Sequence, residues 1–159
     1  MKGDPLKATL LSVKIIPNVN PEMAASLGLR PDQRSVGLVT ADSDDVTYTA
    51  LDEATKKAAK SFYAGAANAN TKLAGEIIGI SAGPNPAEIR SGLNAISDFI
   101  ENEAWFVSAN EDNTIPYYAH CISRTGSYLS KVAGVPEGDA LAYLIAPPLE
   151  AMYALAAAL

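Results

Sequence analysis

The stretch "TADSDDV", Thr40 to Val46, places three carboxylates, Asp42, Asp44 and Asp45, within four residues, between an apolar run and a helical pattern. Carboxylates at that density ligate a hard cation, accept backbone hydrogen bonds in a turn or cap, or line an opening that favours cations. A calcium loop of the EF-hand type also needs a central Gly and a distant bidentate Glu, and neither is present. Turn chemistry and contact with a cationic ligand therefore stand ahead of a metal.

Other candidate groups are thinner. His120 is the lone histidine and Cys121 the lone cysteine, adjacent in a strand-like run with no CxxC, HxH or HExxH companion. Alternation puts one of the pair on a core face. Ser123, Ser127 and Ser130 in "SRTGSYLS" lack a GxSxG context, and His120 is the only base on offer. "ISAGPNPAE" looks superficially like a phosphate loop but has neither GK[ST] nor GxGxxG spacing. Trp105 and Phe106 are consecutive, so one of them must leave the core face of a strand and meet a partner or ligand. No catalytic set and no cofactor emerge from these residues.

The elements that position these groups can be read from periodicity and punctuation. "ATLLSVKIIP" and "RSVGLVTA" read as strands. Between them "NPEMAASLGL" is a short helix capped by Asn20, opened by Pro21 and ended by Gly28. Thr49 with Asp52 resembles a capping box, with Lys56, Lys57 and Lys60 late in the helix that follows. "SFYAGAANANTK", Ser61 to Lys72, is rich in small residues without a period and reads as a loop. "LAGEIIGISAG" reads as a strand whose Gly75, Gly79 and Gly83 imply a close neighbouring backbone. "PNPAEIRSGLNAISDFIEN" is a helix with Asn85 as cap, Glu88 three residues on, and Ile89, Leu93, Ile96 and Ile100 on one face. "AWFVSA", "IPYYAHCIS" and "DALAYLIAP" read as strands, "GSYLSKVAGV" as a short helix ending in Gly, and "PLEAMYALAAAL" as a helix.

The order strand, short helix with terminal Gly, strand, longer helix occurs twice. Setting Gly28 on Gly134 gives an offset of 134 − 28 = 106, which puts Ile15 and Ile16 on Cys121 and Ile122, and Leu38 and Val39 on Leu144 and Ile145. This is the pattern of an internal duplication.

Composition sets the class. The chain has 159 residues, 48% hydrophobic and 19% charged, enough for a packed core. A net charge of −6 without a Lys/Arg run argues against nucleic acid and anionic membrane surfaces as partners. A single cysteine suits a reducing cytoplasm, and no apolar run approaches the ~18 residues of a membrane span.

The strings "GLVTADSDDVTYTALDEATKKA", "YAGAANANTKLAGE", "GPNPAEIRSGLNA", "SRTGSYLS" and "AYLIAPPLEAMYAL" resemble, over nearly the whole chain, the tandem-domain shell proteins of bacterial microcompartments for ethanolamine utilisation. The resemblance implies an α/β (α+β) fold of two tandem, circularly permuted shell domains, each a small antiparallel-containing sheet with helices. It implies a first domain over 1–110 and a second, incomplete one over 111–159. It also implies a homotrimeric pseudohexameric tile, packed beside other shell proteins around a cytoplasmic compartment, with no enzymatic activity, no cofactor and no metal. Tyr63, Gly65, Ala66, Ala67 and Asn68 then fall in a gating loop at a central pore. Asp44, Asp45, Phe106 and Glu150 fall near a small pore for ethanolamine or similar small metabolites, where an ammonium group favours a carboxylate and an aromatic face.

The sequence departs from the family pattern in two places. A short valine-rich strand is missing where "DEATKKA" and "AKSFYAG" nearly abut at Ala58 and Ala59, and the second domain stops after its longer helix. A sheet strand should then be absent near 58–60, leaving exposed edges and apolar helix faces. The rival functional readings are a small-ligand sensor that sets the gate and a metal-dependent enzyme using the "DSDD" carboxylates.

Overall fold

The computed structural model describes residues 1–57, 61–68 and 76–158, with no account of side chains at 61–68 or 158. The strand missing near 58–60 lies outside these residues. Two four-stranded sheets form, one of order β2-β3-β5-β4 and one of order β1-β6-β7-β8. The first contains β2 (Leu10–Ile16), β3 (Ser35–Ala41), β4 (Ser61–Asn68) and β5 (Glu76–Gly83). The second contains β1 (Pro5–Leu6), β6 (Phe106–Ser108), β7 (Pro116–Ile122) and β8 (Leu141–Ile145). All six strand pairings are antiparallel. The described residues also form five helices: α1 (Pro21–Ser26), α2 (Asp44–Lys57), α3 (Pro86–Asn102), α4 (Ser127–Ala133) and α5 (Pro148–Ala158). Pairing crosses position 110, because β1 and β6, both before it, join the second sheet.

The capping signals act as expected in α1 and α3. Asn20 accepts from the Met23 amide at 2.7 Å, and Asn85 accepts from the Glu88 amide at 3.0 Å while donating to the Glu88 carboxylate at 3.1 Å. Helix α3 lays Ile89, Leu93, Ile96 and Ile100 into the core. Gly79 is close-packed as expected, although the crowding groups are side chains: a Cβ there would lie 2.9 Å from Val39 and 3.1 Å from Leu51.

Two local readings are corrected. Helix α2 starts at Asp44, five residues before Thr49, so Thr49 is not a cap. Asp44 and Asp45 in the first turn suit the positive end of the helix, and Thr49 donates inward to the Val46 carbonyl at 2.8 Å. The loop expected over Ser61–Lys72 is a strand for its first eight residues. Tyr63, Gly65, Ala66 and Asn68 pair with Ile80, Ile78, Ile77 and Glu76, and a register shift falls at Ala67. Small residues lack periodicity but do not prevent backbone pairing, and β5 offered an open edge.

The duplication is structural. Adding 106 to the bounds of β2 gives 116–122, the bounds of β7, and adding it to the start of α1 gives 127, the start of α4. Gly28 and Gly134 both end their helices with positive φ, 62° and 71°. The offset then slips by one. Val13 pairs with Val39 whereas Ala119 pairs with Leu144, so 119 − 13 = 106 but 144 − 39 = 105. Leu38 and Val39 therefore correspond to Tyr143 and Leu144, one residue earlier than the sequence alignment places them. From this point Ala41 matches Ala146, Asp45 matches Glu150 and Tyr48 matches Tyr153.

The two halves meet where α2 packs on α4. Asp52, fully buried on α2, accepts from the amides of Gly126 at 2.7 Å and Leu129 at 2.8 Å, with the Lys56 ammonium 3.4 Å away. Gly126 is the N-cap of α4 and has no side chain to do this itself. A Cβ there would lie 2.3 Å from Thr55 Oγ1 and 2.8 Å from the Asp52 carbonyl oxygen. Asp52→Ala should leave two buried amides without acceptors and cost roughly 2–4 kcal/mol. Gly126→Ala should cost about 1–3 kcal/mol through overpacking. Urea unfolding of the two variants against the parent chain checks both.

Candidate functional site

The acidic cluster divides its work by position. Asp42 accepts from the Thr9 amide at 2.6 Å and ties the end of β3 to the approach to β2. Asp44 is half-buried and accepts from the Asp45 amide at 2.9 Å. Asp45 is only 6% exposed and reaches the other sheet, where Tyr143 of β8 donates its hydroxyl to the carboxylate at 2.9 Å. Two adjacent carboxylates thus stand at the seam between the halves.

Tyrosines surround that seam. Tyr48 stacks on Tyr128 of α4 at 6.3 Å, and Tyr118 of β7 meets Tyr143 edge-on at 6.0 Å. The Tyr118 and Thr49 hydroxyls are 2.8 Å apart. Burial pushes the Asp45 carboxyl above its ordinary value; the Tyr143 hydrogen bond pulls it back and the Asp44 charge pushes it up again. Burial likewise raises Tyr118 and Tyr128, each to about 12, and pushes Tyr143 well above the usual phenol range, aided by Asp45. These rings stay neutral and act as donors and flat walls. The sequence signal for them was period-2 placement: Tyr118 and Tyr143 occupy inward positions of neighbouring strands.

The other expected site residues fall elsewhere. Phe106 is 1% exposed and packs on Tyr118 at 5.3 Å, so its ring belongs to the core behind the seam. Trp105, the outward member of the pair, carries Lys7 over its ring at 5.8 Å. Glu150 is exposed at the start of α5 and lines a cavity of about 330 Å³ with Tyr117, Ala119, Leu144 and Ala154. Leu144 and Tyr143 are consecutive in β8, so Glu150 and Asp45 lie on opposite faces of the second sheet. The structure sets Asp44 and Asp45 side by side at the seam, Phe106 one ring behind it against Tyr118, and Glu150 on the other face of the second sheet. Tyr63, Gly65, Ala66, Ala67 and Asn68 are in β4, at the far edge of the first sheet.

The remaining candidates serve structure. His120 packs edge-on against Phe99 at 5.4 Å and stacks on Tyr118 at 5.8 Å, and burial lowers its pKa. Cys121 is exposed on the opposite face. Ser130 donates to the Val135 carbonyl at 2.7 Å. Among the described residues, no group of three or more His, Cys, Asp or Glu side chains could hold a metal ion, and no helix is long and apolar enough to cross a membrane.

No family model matches the chain. A curated relative, bacterial microcompartment shell protein EutL of Clostridium perfringens, is 68% identical over 165 positions, covering 100% of this chain and 76% of that protein. The Escherichia coli protein of the same name is 49% identical, over 98% of this chain and 74% of its own length. The crystal structure of ethanolamine utilization protein EutL from Leptotrichia buccalis superposes with a TM-score of 0.89 at 65% identity, over 98% of this chain and 74% of that one. EtuB from Clostridium kluyveri and the trimeric shell protein PduB share the fold at 18% and 16% identity, with TM-scores of 0.69 and 0.67.

Fold and relatives define a structural component of a bacterial microcompartment shell, not an enzyme. The chain belongs to the EutL family of these shell proteins. The comparisons give no support to a dedicated ligand sensor.

The seam carboxylate yields a pH test. With Asp45 raised above its ordinary 3.8, the folded state binds its proton more tightly than the unfolded chain. Stability therefore falls as pH rises from about 4 through the folded-state pKa, and the penalty is absent below that window. Asp45→Asn keeps an acceptor for Tyr143 and should flatten this fall, measured as urea midpoints between pH 3.5 and 7.

Proposed function

We propose that the chain is one subunit of a three-copy tile set among other shell proteins, and that the seam at Asp44 and Asp45 is a narrow passage for small cations such as ethanolamine. The division near residue 110 into two shell-type domains belongs to the same reading. The observation that carries it is Asp45 held by Tyr143 across the junction of the two sheets, with the half-buried Asp44 beside it. In this reading Tyr48 and Tyr143 supply the aromatic faces that the family resemblance assigned to Phe106, whose ring backs them through Tyr118. Glu150, the duplicate of Asp45, lies outside this passage.

The energetics suit passage over capture. An exposed cation–π contact is worth ~0.5–1 kcal/mol and a partly hydrated ion pair ~0.2–1 kcal/mol, so the site holds its ligand weakly and releases it. Titration with ethanolammonium, followed by amide shifts at Asp44–Tyr48 and at Tyr143, should give a Kd of about 1 mM or weaker. Asp44→Ala should abolish the shifts while Glu150→Gln leaves them. Shifts that survive Asp44→Ala overturn the passage, and a monomeric mass in sedimentation equilibrium overturns the tile.

The gating role of 61–68 becomes an edge-strand movement. Among the described residues β4 has one partner, β5, which is itself held on both sides. For 61–68 to act at a central opening it must leave β5, which requires no other strand to move. Amide exchange should be much faster at Tyr63–Ala66 than at Ile77–Ala82, and equal protection of the two strands would remove the gate from this segment.

A further inference from the structure

The segments flanking α4 carry charge that neither the seam nor the sheets use. A cavity of about 230 Å³ lies between them and the last turn of α2, lined by Thr55, Lys56, Arg124, Thr125, Gly126 and Glu137. Liquid water takes ~30 Å³ per molecule, so the space admits a small metabolite.

Its walls are fixed by hydrogen bonds that no ligand needs to supply. Thr125 is 1% exposed; its amide donates to the Asp139 carbonyl at 2.8 Å, and its hydroxyl donates to the same carbonyl at 2.9 Å with that of Pro136 at 3.0 Å. The Gly138 amide donates back to the Thr125 carbonyl at 2.9 Å. The backbone on either side of α4 is therefore tied together, and the side chains it carries are held in one neighbourhood beforehand.

Most polar groups of the lining are already committed. Thr55 donates its hydroxyl to the Asp52 carbonyl oxygen at 2.7 Å. The Lys56 ammonium is shared between Asp52, at 3.4 Å, and Glu53. Lys56 also offsets the negative end of α2, which disfavours an anion. The amides of Gly126 and Leu129 are taken by Asp52. Arg124 and Glu137 differ from all of these. Both are exposed, and among the described residues neither makes a hydrogen bond or ion pair, with each other or with any other group. What the cavity leaves open is thus one guanidinium and one carboxylate.

We propose that this cavity binds a small zwitterion, its carboxylate on Arg124 and its ammonium on Glu137. A guanidinium matches a carboxylate with two parallel hydrogen bonds, and a carboxylate accepts from an ammonium. A ligand with a single charge meets one of the two groups and is repelled by the other. The site is roughly 18 Å along α2 from Asp44, at ~1.5 Å per residue, so it is separate from the seam passage and does not depend on it.

The test is a titration of the full chain with β-alanine at constant ionic strength, followed by amide shifts. Thr55, Lys56, Arg124, Thr125 and Gly126 should move together, with a Kd of about 1–10 mM. Acetate and ethylammonium, each carrying one of the two charges, should bind at least ~5-fold more weakly. Arg124→Gln and Glu137→Gln should each weaken β-alanine by at least ~5-fold, while Glu137→Gln tightens acetate. Both positions are exposed, so these variants should keep the parent's urea midpoint. Ethanolammonium shifts at Asp44–Tyr48 should be the same in both. If acetate binds as tightly as β-alanine, or Glu137→Gln leaves β-alanine unchanged, recognition of a zwitterion is overturned. If β-alanine moves these amides no more than sodium chloride of equal concentration, the site itself is overturned.

Discussion

One buried carboxylate holds the arrangement of the two halves. Asp52 lies on α2 but completes the first turn of α4, a helix of the other half whose N-cap glycine offers no oxygen. An amide buried without an acceptor costs far more than an exposed one, so α2 and α4 can approach only with this side chain between them. Gly126 is the converse requirement, since any side chain there would overlap Thr55 and the Asp52 backbone. With that contact made, the other residues of the same helix face find their partners. Tyr48 reaches Tyr128, Thr49 reaches Tyr118 and Asp45 reaches Tyr143, each about a turn or less from the next.

The character of the seam follows from which helix turn lies at it. The first turn of α2 carries Asp44 and Asp45, where the helix dipole favours negative charge. The same turn faces the Tyr143 hydroxyl of the second half, which donates to Asp45 without neutralising it. Among the described residues, no hydrogen bond or ion pair joins this carboxylate pair to a cationic side chain.

Much of this was legible in the chain. Asn20, Pro21 and Gly28 delimit α1, and Asn85, Pro86 and Glu88 open α3, because caps act through residues three or four apart. The repeated order of elements was readable for the same reason. Three things were not. The start of α2 was misplaced because Thr49 and Asp52 mimic a cap, while the true first turn was hidden in a run that also suits turns. The residues from Ser61 to Asn68 looked like a loop, because a strand made of Gly, Ala and Asn carries no periodicity and is defined by the edge it joins. Phe106, placed near a ligand by the family resemblance alone, is the inward one of two adjacent aromatics, a choice the sequence could not make.

The chain by itself determined the helix caps, the apolar faces, the acidic balance and the twofold repeat, all of which depend on neighbours a few residues apart. The tertiary structure alone decided the one-residue slip between the copies, which follows from strand register and makes Glu150 the counterpart of Asp45, where the sequence alignment sets it on Asp44. It also decided that Asp52 serves a helix 74 residues away. Such contacts carry no local signature, because chain separation says nothing about distance once two sheets have packed.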